Sequence, residues 1–176
     1  MLSIILVTII SLSQSSADTI ELKGIQDIYY RVYTNDCNLC FQYKTHKNWS
    51  MPKVIDENVS EYAMTVTSGD YVHMVWIKQG RIYYKTNIYP ITQTDTIQWE
   101  RFIIISPYFA EPSFNISIDT KGEWINVTWS APAEDNLTKV ETWRRARWLG
   151  EPPDTWEVPR CLSESSLDIK QSNKSK

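Results

Sequence analysis

From Ile28 onward the chain alternates short runs of β-branched and aromatic residues with clusters of Gly, Asp, Asn, Ser and Pro. The runs are Ile28–Tyr33, Phe41–Thr45, Tyr62–Thr67, Val72–Trp76, Ile82–Thr86, Phe102–Ile105, Phe114–Ile118 and Trp124–Trp129. Their length, their residue types and the turn residues between them predict strands joined by tight connections. After the amino-terminal run, no window of a dozen residues carries a helical period of apolar positions. The expected fold class is all-β.

The runs also recur in order. Tyr62–Glu100 and Ser113–Glu157 each read as strand, turn, strand ending in Trp, loop, strand with a basic end, loop, Trp-Glu and strand. Trp76 and Trp129 lie 53 residues apart, and Trp99 and Trp156 lie 57 apart. The first turn is Ser68-Gly69-Asp70 in one copy and Thr120-Lys121-Gly122-Glu123 in the other, each suited to a hairpin. Upstream, Phe41–Thr45 matches Ile82–Thr86, and Trp49–Ile55 matches the Trp-Glu strand, with Trp49 50 residues before Trp99. Four strands in about 50 residues is the length of one blade of a β-propeller. Trp49, Trp76, Trp99, Trp129 and Trp156 are therefore expected at repeated structural positions.

The unit GDYVHMVWIKQGRIYYKTN, followed by Trp-Glu and a Ser-Pro or Ser-Glu loop, resembles blades of the sialidase-like, BNR or Asp-box β-propellers. The resemblance covers about Asp27 to Ser166 as a pattern. Blades of that family carry an Asp-box turn, Ser/Thr-x-Asp-x-Gly-x-Thr-Trp, between the third and fourth strands. The corresponding segments here, Thr45–Trp49, Thr92–Trp99 and Gly150–Trp156, keep the Trp and lose most of the box. In the family the box is a folding motif away from the catalytic face. The resemblance thus implies a β-propeller-like array of four-stranded antiparallel blades: a partial blade over 18–61, then blades over 62–111 and 112–166. About three blades fall short of the 4–8 that close a propeller. An open array is expected to expose two apolar faces unless they are capped or paired, so self-association through open blade faces is one expectation. A fragment of a larger propeller is the preferred one. A fibronectin type III sandwich, suggested by Trp124–Pro132, would repeat at about 90 residues. The shorter spacing argues against it.

Composition narrows the function. The chain has 176 residues, 22% charged and 42% hydrophobic, with Trp 8 and Tyr 10, which places it among globular proteins. A net charge of −3 gives no surplus of cations for phosphate contacts, so nucleic acid is not an expected partner. No stretch reaches the roughly 20 apolar residues of a spanning helix. Leu2–Leu12 followed by Ser15-Ser16-Ala17 reads as a secretory signal over 1–17, cleaved before Asp18, ahead of a buried strand or an uncleaved anchor. The expected location is secreted or extracytoplasmic, in a periplasm or at a cell surface, and the polar 167–176 reads as a disordered tail. Sequons at Asn48, Asn58, Asn115, Asn126, Asn136 and Asn173 suit an exported chain as candidate glycosylation sites. Asn and Thr are also ordinary residues of β-rich turns, and that plainer reading carries more weight. Cys37, Cys40 and Cys161 make no disulfide framework, and two histidines with one Cys-x-x-Cys make no zinc site. No cofactor or metal is expected.

Two function classes remain. A sialidase-like hydrolase would need an arginine cluster for a carboxylate, a Tyr activated by a Glu, and a proton donor. No such constellation can be matched residue by residue, and Arg144-Arg145-Ala146-Arg147 is explained by solvated charge on an edge strand that blocks aggregation. The balance favours a non-catalytic binding or scaffold module for carbohydrate or protein. Its candidate ligand residues are Trp143, Arg145, Arg147 and Trp148 around the basic run. Tyr29, Tyr30, Tyr83 and Tyr84 are assigned to packing.

Overall fold

The computed structural model describes residues 19–25, 27–45, 48–91, 96–107 and 112–166. The signal segment, the polar tail and Asn173 lie outside the described residues. The chain is all-β, as the alternation of apolar runs and turn residues predicts. It forms three antiparallel sheets in sequence order. The first contains β1 (Ile20–Lys23), β2 (Tyr29–Asn35), β3 (Asn38–Thr45), β4 (Asn48–Trp49) and β5 (Lys53–Asp56). The second contains β6 (Glu61–Val66), β7 (Val72–Lys78), β8 (Arg81–Thr86) and β9 (Ile103–Ile104). The third contains β10 (Phe114–Lys121), β11 (Trp124–Pro132), β12 (Lys139–Trp148) and β13 (Arg160–Ser166).

Each sheet is a meander whose strands pair with their chain neighbours. In the first sheet β4 and β5 share one edge of β3, where Lys44 faces Trp49 and Phe41 faces Lys53, so the sheet is four strands wide. The segment from Trp49 to Ile55, expected as one strand, is broken at Pro52, which has no N–H to give to a ladder. The strands of a fibronectin-type sandwich would alternate between two sheets. Here every run of consecutive strands completes a sheet of its own. Tight hairpins make this possible: Asp36-Cys37 and Gln79-Gly80 both take positive φ at the two turn positions, as two-residue hairpin turns require.

The second sheet lies between the other two. Along β7, Val72, Met74 and Trp76 join a core with Tyr30, Leu39 and Phe41 of the first sheet. Val75 and Ile77 join a second core with Ile125, Val127 and Trp129 of the third. Trp76 and Trp129 occupy the second strands of adjacent sheets, and each faces the preceding sheet. Trp99 and Trp156 behave in parallel. Trp99 meets the ring of Phe41 edge-on at 4.9 Å, and Trp156 meets Tyr84 edge-on at 4.9 Å.

Polar ties reinforce the stacking. The Trp76 indole donates to Asp56 Oδ2 at 2.9 Å, and Lys78 pairs with Asp56 Oδ1 at 2.5 Å. Burial alone would raise the Asp56 carboxyl, but Lys78, the Glu57 amide and the Trp76 indole hold it below its usual range. Between the second and third sheets, Ile116 N donates to Glu61 Oε2 at 3.1 Å and Ser113 N to Gly80 O at 2.9 Å. At one end of the stack, buried Asp70 accepts from Ile25 N at 2.8 Å, and Asn87 accepts from Val72 N at 2.6 Å.

The faces turned away from the middle sheet carry polar and cationic contacts. On the first sheet, Arg31 lies 4.1 Å from the Trp49 ring centre and Lys44 lies 4.6 Å from that of Tyr29. On the third, Ser117 and Thr128 share a hydrogen bond, and Asn126 joins Asp119 to Arg144. No disulfide forms among the described residues, and burial raises the Cys40 thiol.

Gly24 shows how closely the sheets meet. A Cβ there would collide with Asp70 Oδ1 and the Tyr30 ring. Gly122, at φ 60, faces open space. Gly24→Ala is expected to cost about 1–3 kcal/mol through overpacking, and Gly122→Ala about 1 kcal/mol through left-handed backbone alone. Urea unfolding midpoints separate the two. Equal midpoints would mean that the first turn moves aside freely.

Candidate functional site

A crevice of about 590 Å³ opens between the second and third sheets. Its walls are connections at one end of both: the β6–β7 turn from Thr67 to Tyr71, Thr86 to Ile88 after β8, Gly122 and Glu123 between β10 and β11, and Trp148 to Gly150 after β12. Glu100, Pro153, His73 and Arg147 complete the lining. Two hairpin turns and two strand ends therefore frame a space that the apolar cores stop short of filling.

Its floor is a hydrogen-bonded relay. His73 and Thr86 are cross-strand partners of β7 and β8, on the face toward the third sheet. His73 Nδ1 lies 2.7 Å from the Tyr84 hydroxyl, and Arg147 Nη1 of β12 donates to that hydroxyl at 3.0 Å. Arg147 reaches in because odd-numbered residues of β12 face the second sheet. Its Nε donates to Pro152 O at 3.1 Å and its Nη2 to Glu151 O at 2.8 Å. The residue is 5% exposed, and among the described residues no carboxylate pairs with it. Carbonyl oxygens and a phenol thus satisfy a buried cation, which would otherwise carry a heavy desolvation penalty.

A guanidinium donates and never accepts, so the Tyr84 oxygen accepts from Arg147, while the proton between Tyr84 and His73 Nδ1 sits on either partner according to the imidazole tautomer. His73 Nε2 has no partner among the described residues, and His73 is 2% exposed. Burial, with the Arg147 charge adding to it, holds His73 down to about 3, so the ring is neutral at pH 7. Burial pushes Tyr84 up to about 12, against the pull of Arg147 and the Thr86 hydroxyl.

The rim carries both aromatic surface and charge. The Trp148 indole donates to Glu123 Oε2 at 2.9 Å, and its ring lies against Gly150, so close that a Cβ there would meet Trp148 ring carbons at 2.7–2.9 Å. The ring is held in place yet 41% exposed, and Tyr71 across the crevice is 37% exposed.

Of the four residues singled out around the basic run, Arg147 and Trp148 line this crevice; Trp143 and Arg145 do not. Trp143 packs into the core between the second and third sheets. Arg145 donates from Nε to Glu157 O and from Nη1 to Ile105 O, both at 2.8 Å, which ties two sheets together. The reading of this run as solvated edge charge is corrected: β12 lies between β11 and β13, and two of its three arginines point inward. Among the sequons, Asn48, Asn58, Asn115 and Asn136 are exposed. Asn126 is buried, its amide donating to Asp119 and accepting from Arg144. His73, Glu100 and Glu123 were not anticipated. A lone ionisable residue in the continuous apolar run Val72–Ile77 was the available signal for His73.

Among the described residues no cluster of three His, Cys, Asp or Glu could hold a metal ion, and no helix is long and apolar enough to cross a membrane. No protein-family model matches the chain, and no curated protein matches it.

The relay gives stability a distinctive pH dependence. An unfolded imidazole takes a proton near 6.5 and the buried one only near 3. Between these values the unfolded state binds more protons, so stability is full above about pH 6.5 and falls as pH drops. The slope reaches up to about 1.4 kcal/mol per pH unit. His73→Gln, which keeps an acceptor for Tyr84, is expected to flatten the wild-type decline between pH 6.5 and about 4 in denaturant melts. An unchanged slope would mean that His73 titrates normally.

Proposed function

We propose that the protein is a secreted, non-catalytic binding or scaffold module of propeller-type sheets, with the crevice between the second and third sheets as its binding site. The observation that carries this reading is the relay Arg147–Tyr84–His73 at the crevice floor. It is a rigid polar floor beneath exposed aromatic walls, the usual composition of a recognition site.

The same relay argues against acid–base catalysis. A general base or acid works best with a pKa near the operating pH. His73, held near 3, is too weak a base, and Tyr84, pushed to about 12, is a reluctant nucleophile. Arg147 spends its donors on two carbonyls and a phenol, whereas a sialidase needs several guanidiniums free for a carboxylate. The crevice also lies at the end where third strands turn toward fourth strands, which the resemblance places away from the catalytic face. The exposed sequons and the predicted signal support export.

A glycan array run beside a sialidase substrate assay tests the proposal. Saturable retention without turnover is the expected result. Turnover of a sialoside that is abolished in Tyr84→Phe would overturn the non-catalytic reading.

A further inference from the structure

Resting on the binding reading above, the geometry points to a specific ligand class for the crevice: an uncharged, hydroxyl-rich saccharide, one of whose hydroxyls pairs with His73 Nε2.

The first ground is a pair of unanswered polar atoms. His73 Nε2 and Thr86 Oγ1 are buried without a partner among the described residues, and both residues line the crevice. Buried polar groups in folded proteins almost always find partners, and an unmet one weakens the fold until something answers it. The fitting ligand presents a hydrogen-bonding group to the crevice floor.

Charge then selects among acceptors. Glu100 and Glu123 line the crevice with one cation, Arg147, whose guanidinium is turned onto Glu151 O, Pro152 O and Tyr84. An anionic ligand would meet two carboxylates and a cation already engaged. A hydroxyl group suits both sides, because it accepts from or donates to the imidazole, whichever tautomer is present, and donates to a carboxylate. Several hydroxyls on one scaffold match the polar floor and the rim acceptors together.

The aromatic walls supply the third ground. Trp148 is fixed by Glu123 and Gly150 with much of its ring still open, and Tyr71 is also exposed. A pinned indole offers a flat apolar surface at little entropic cost, and the C–H face of a pyranose ring fits it. The volume falls within the range of small-ligand sites.

Two measurements on the full chain test the assignment. The first is long-range proton–nitrogen NMR of the histidines, of which the chain has two. We expect one neutral ring, unchanged between pH 5 and 8, whose Nε2 signal shifts when a bound neutral oligosaccharide is added. An Nε2 signal that a bound oligosaccharide leaves in place would overturn the contact with His73. The second compares neutral hexose and N-acetylhexosamine glycans with sialylated and uronate glycans, using wild type, Trp148→Ala and Glu100→Gln. Trp148→Ala is a rim substitution that leaves both sheet cores intact. Neutral glycans are expected to bind, and each variant to weaken them about tenfold. Preference for acidic glycans, binding indifferent to both variants, or no glycan binding at all would each overturn the saccharide assignment. None of these touches the non-catalytic reading, which falls only if turnover is seen.

Discussion

The structure depends on one strand that has no outside. Six consecutive residues of β7, Val72 through Ile77, are buried, and successive side chains point into different cores. A strand covered on both faces exists only where another layer lies on each side, so the second sheet commits the first and third to their places. The consequence extends to the polar residue in the run. His73 cannot turn to water, so it needs a partner from its own sheet, Tyr84, and Tyr84 in turn draws Arg147 from the next one.

The tryptophans follow from the same constraint. Each sheet must present a broad apolar surface to the one before it, and an indole covers more of that surface than other side chains. Trp76 and Trp129 do this from second strands, and Trp99 and Trp156 from the approach to fourth strands. Trp49 shows what happens without a preceding sheet among the described residues. Its ring is covered by the Arg31 guanidinium and approached by the Lys44 ammonium, so cations sit over the indole face where another sheet would otherwise lie. One repeated residue thus serves as core or as capped surface, depending on what lies against it.

Alternation and turn residues made the strands readable, because each depends on a few neighbours. Ile82 to Thr86 and Tyr62 to Thr67 emerge as strands to within one residue at each end, and the strand that begins at Trp124 runs three residues beyond Trp129. Periodicity states which residues share a face, but it is silent on what covers that face. Arg145 and Arg147 therefore looked like solvated charge, although their alternation is what aims both into the interface. The carbonyls that receive them, at Ile105, Glu151, Pro152 and Glu157, carry no side-chain signature at all. The crevice was hidden for a related reason: its walls come from four segments spread from Thr67 to Gly150, joined only when the sheets stack.

A buried guanidinium and imidazole are a poor choice for stability alone, since an apolar trio of similar volume would fill the same space without desolvating a charge. Their presence beside an open crevice is informative for that reason. Local rules of packing are broken where a site has to present a polar group, and the surrounding structure compensates. Here the compensation is specific: Glu151 and Pro152 turn their carbonyls inward, the Gly150 backbone lets the Trp148 ring lie close, and Glu123 holds that ring at the rim. Four adjoining features of the β12–β13 connection and the β10–β11 turn serve one corner of the molecule. The residual cost falls at the crevice floor on His73 Nε2 and Thr86 Oγ1, which the fold itself leaves without a partner among the described residues.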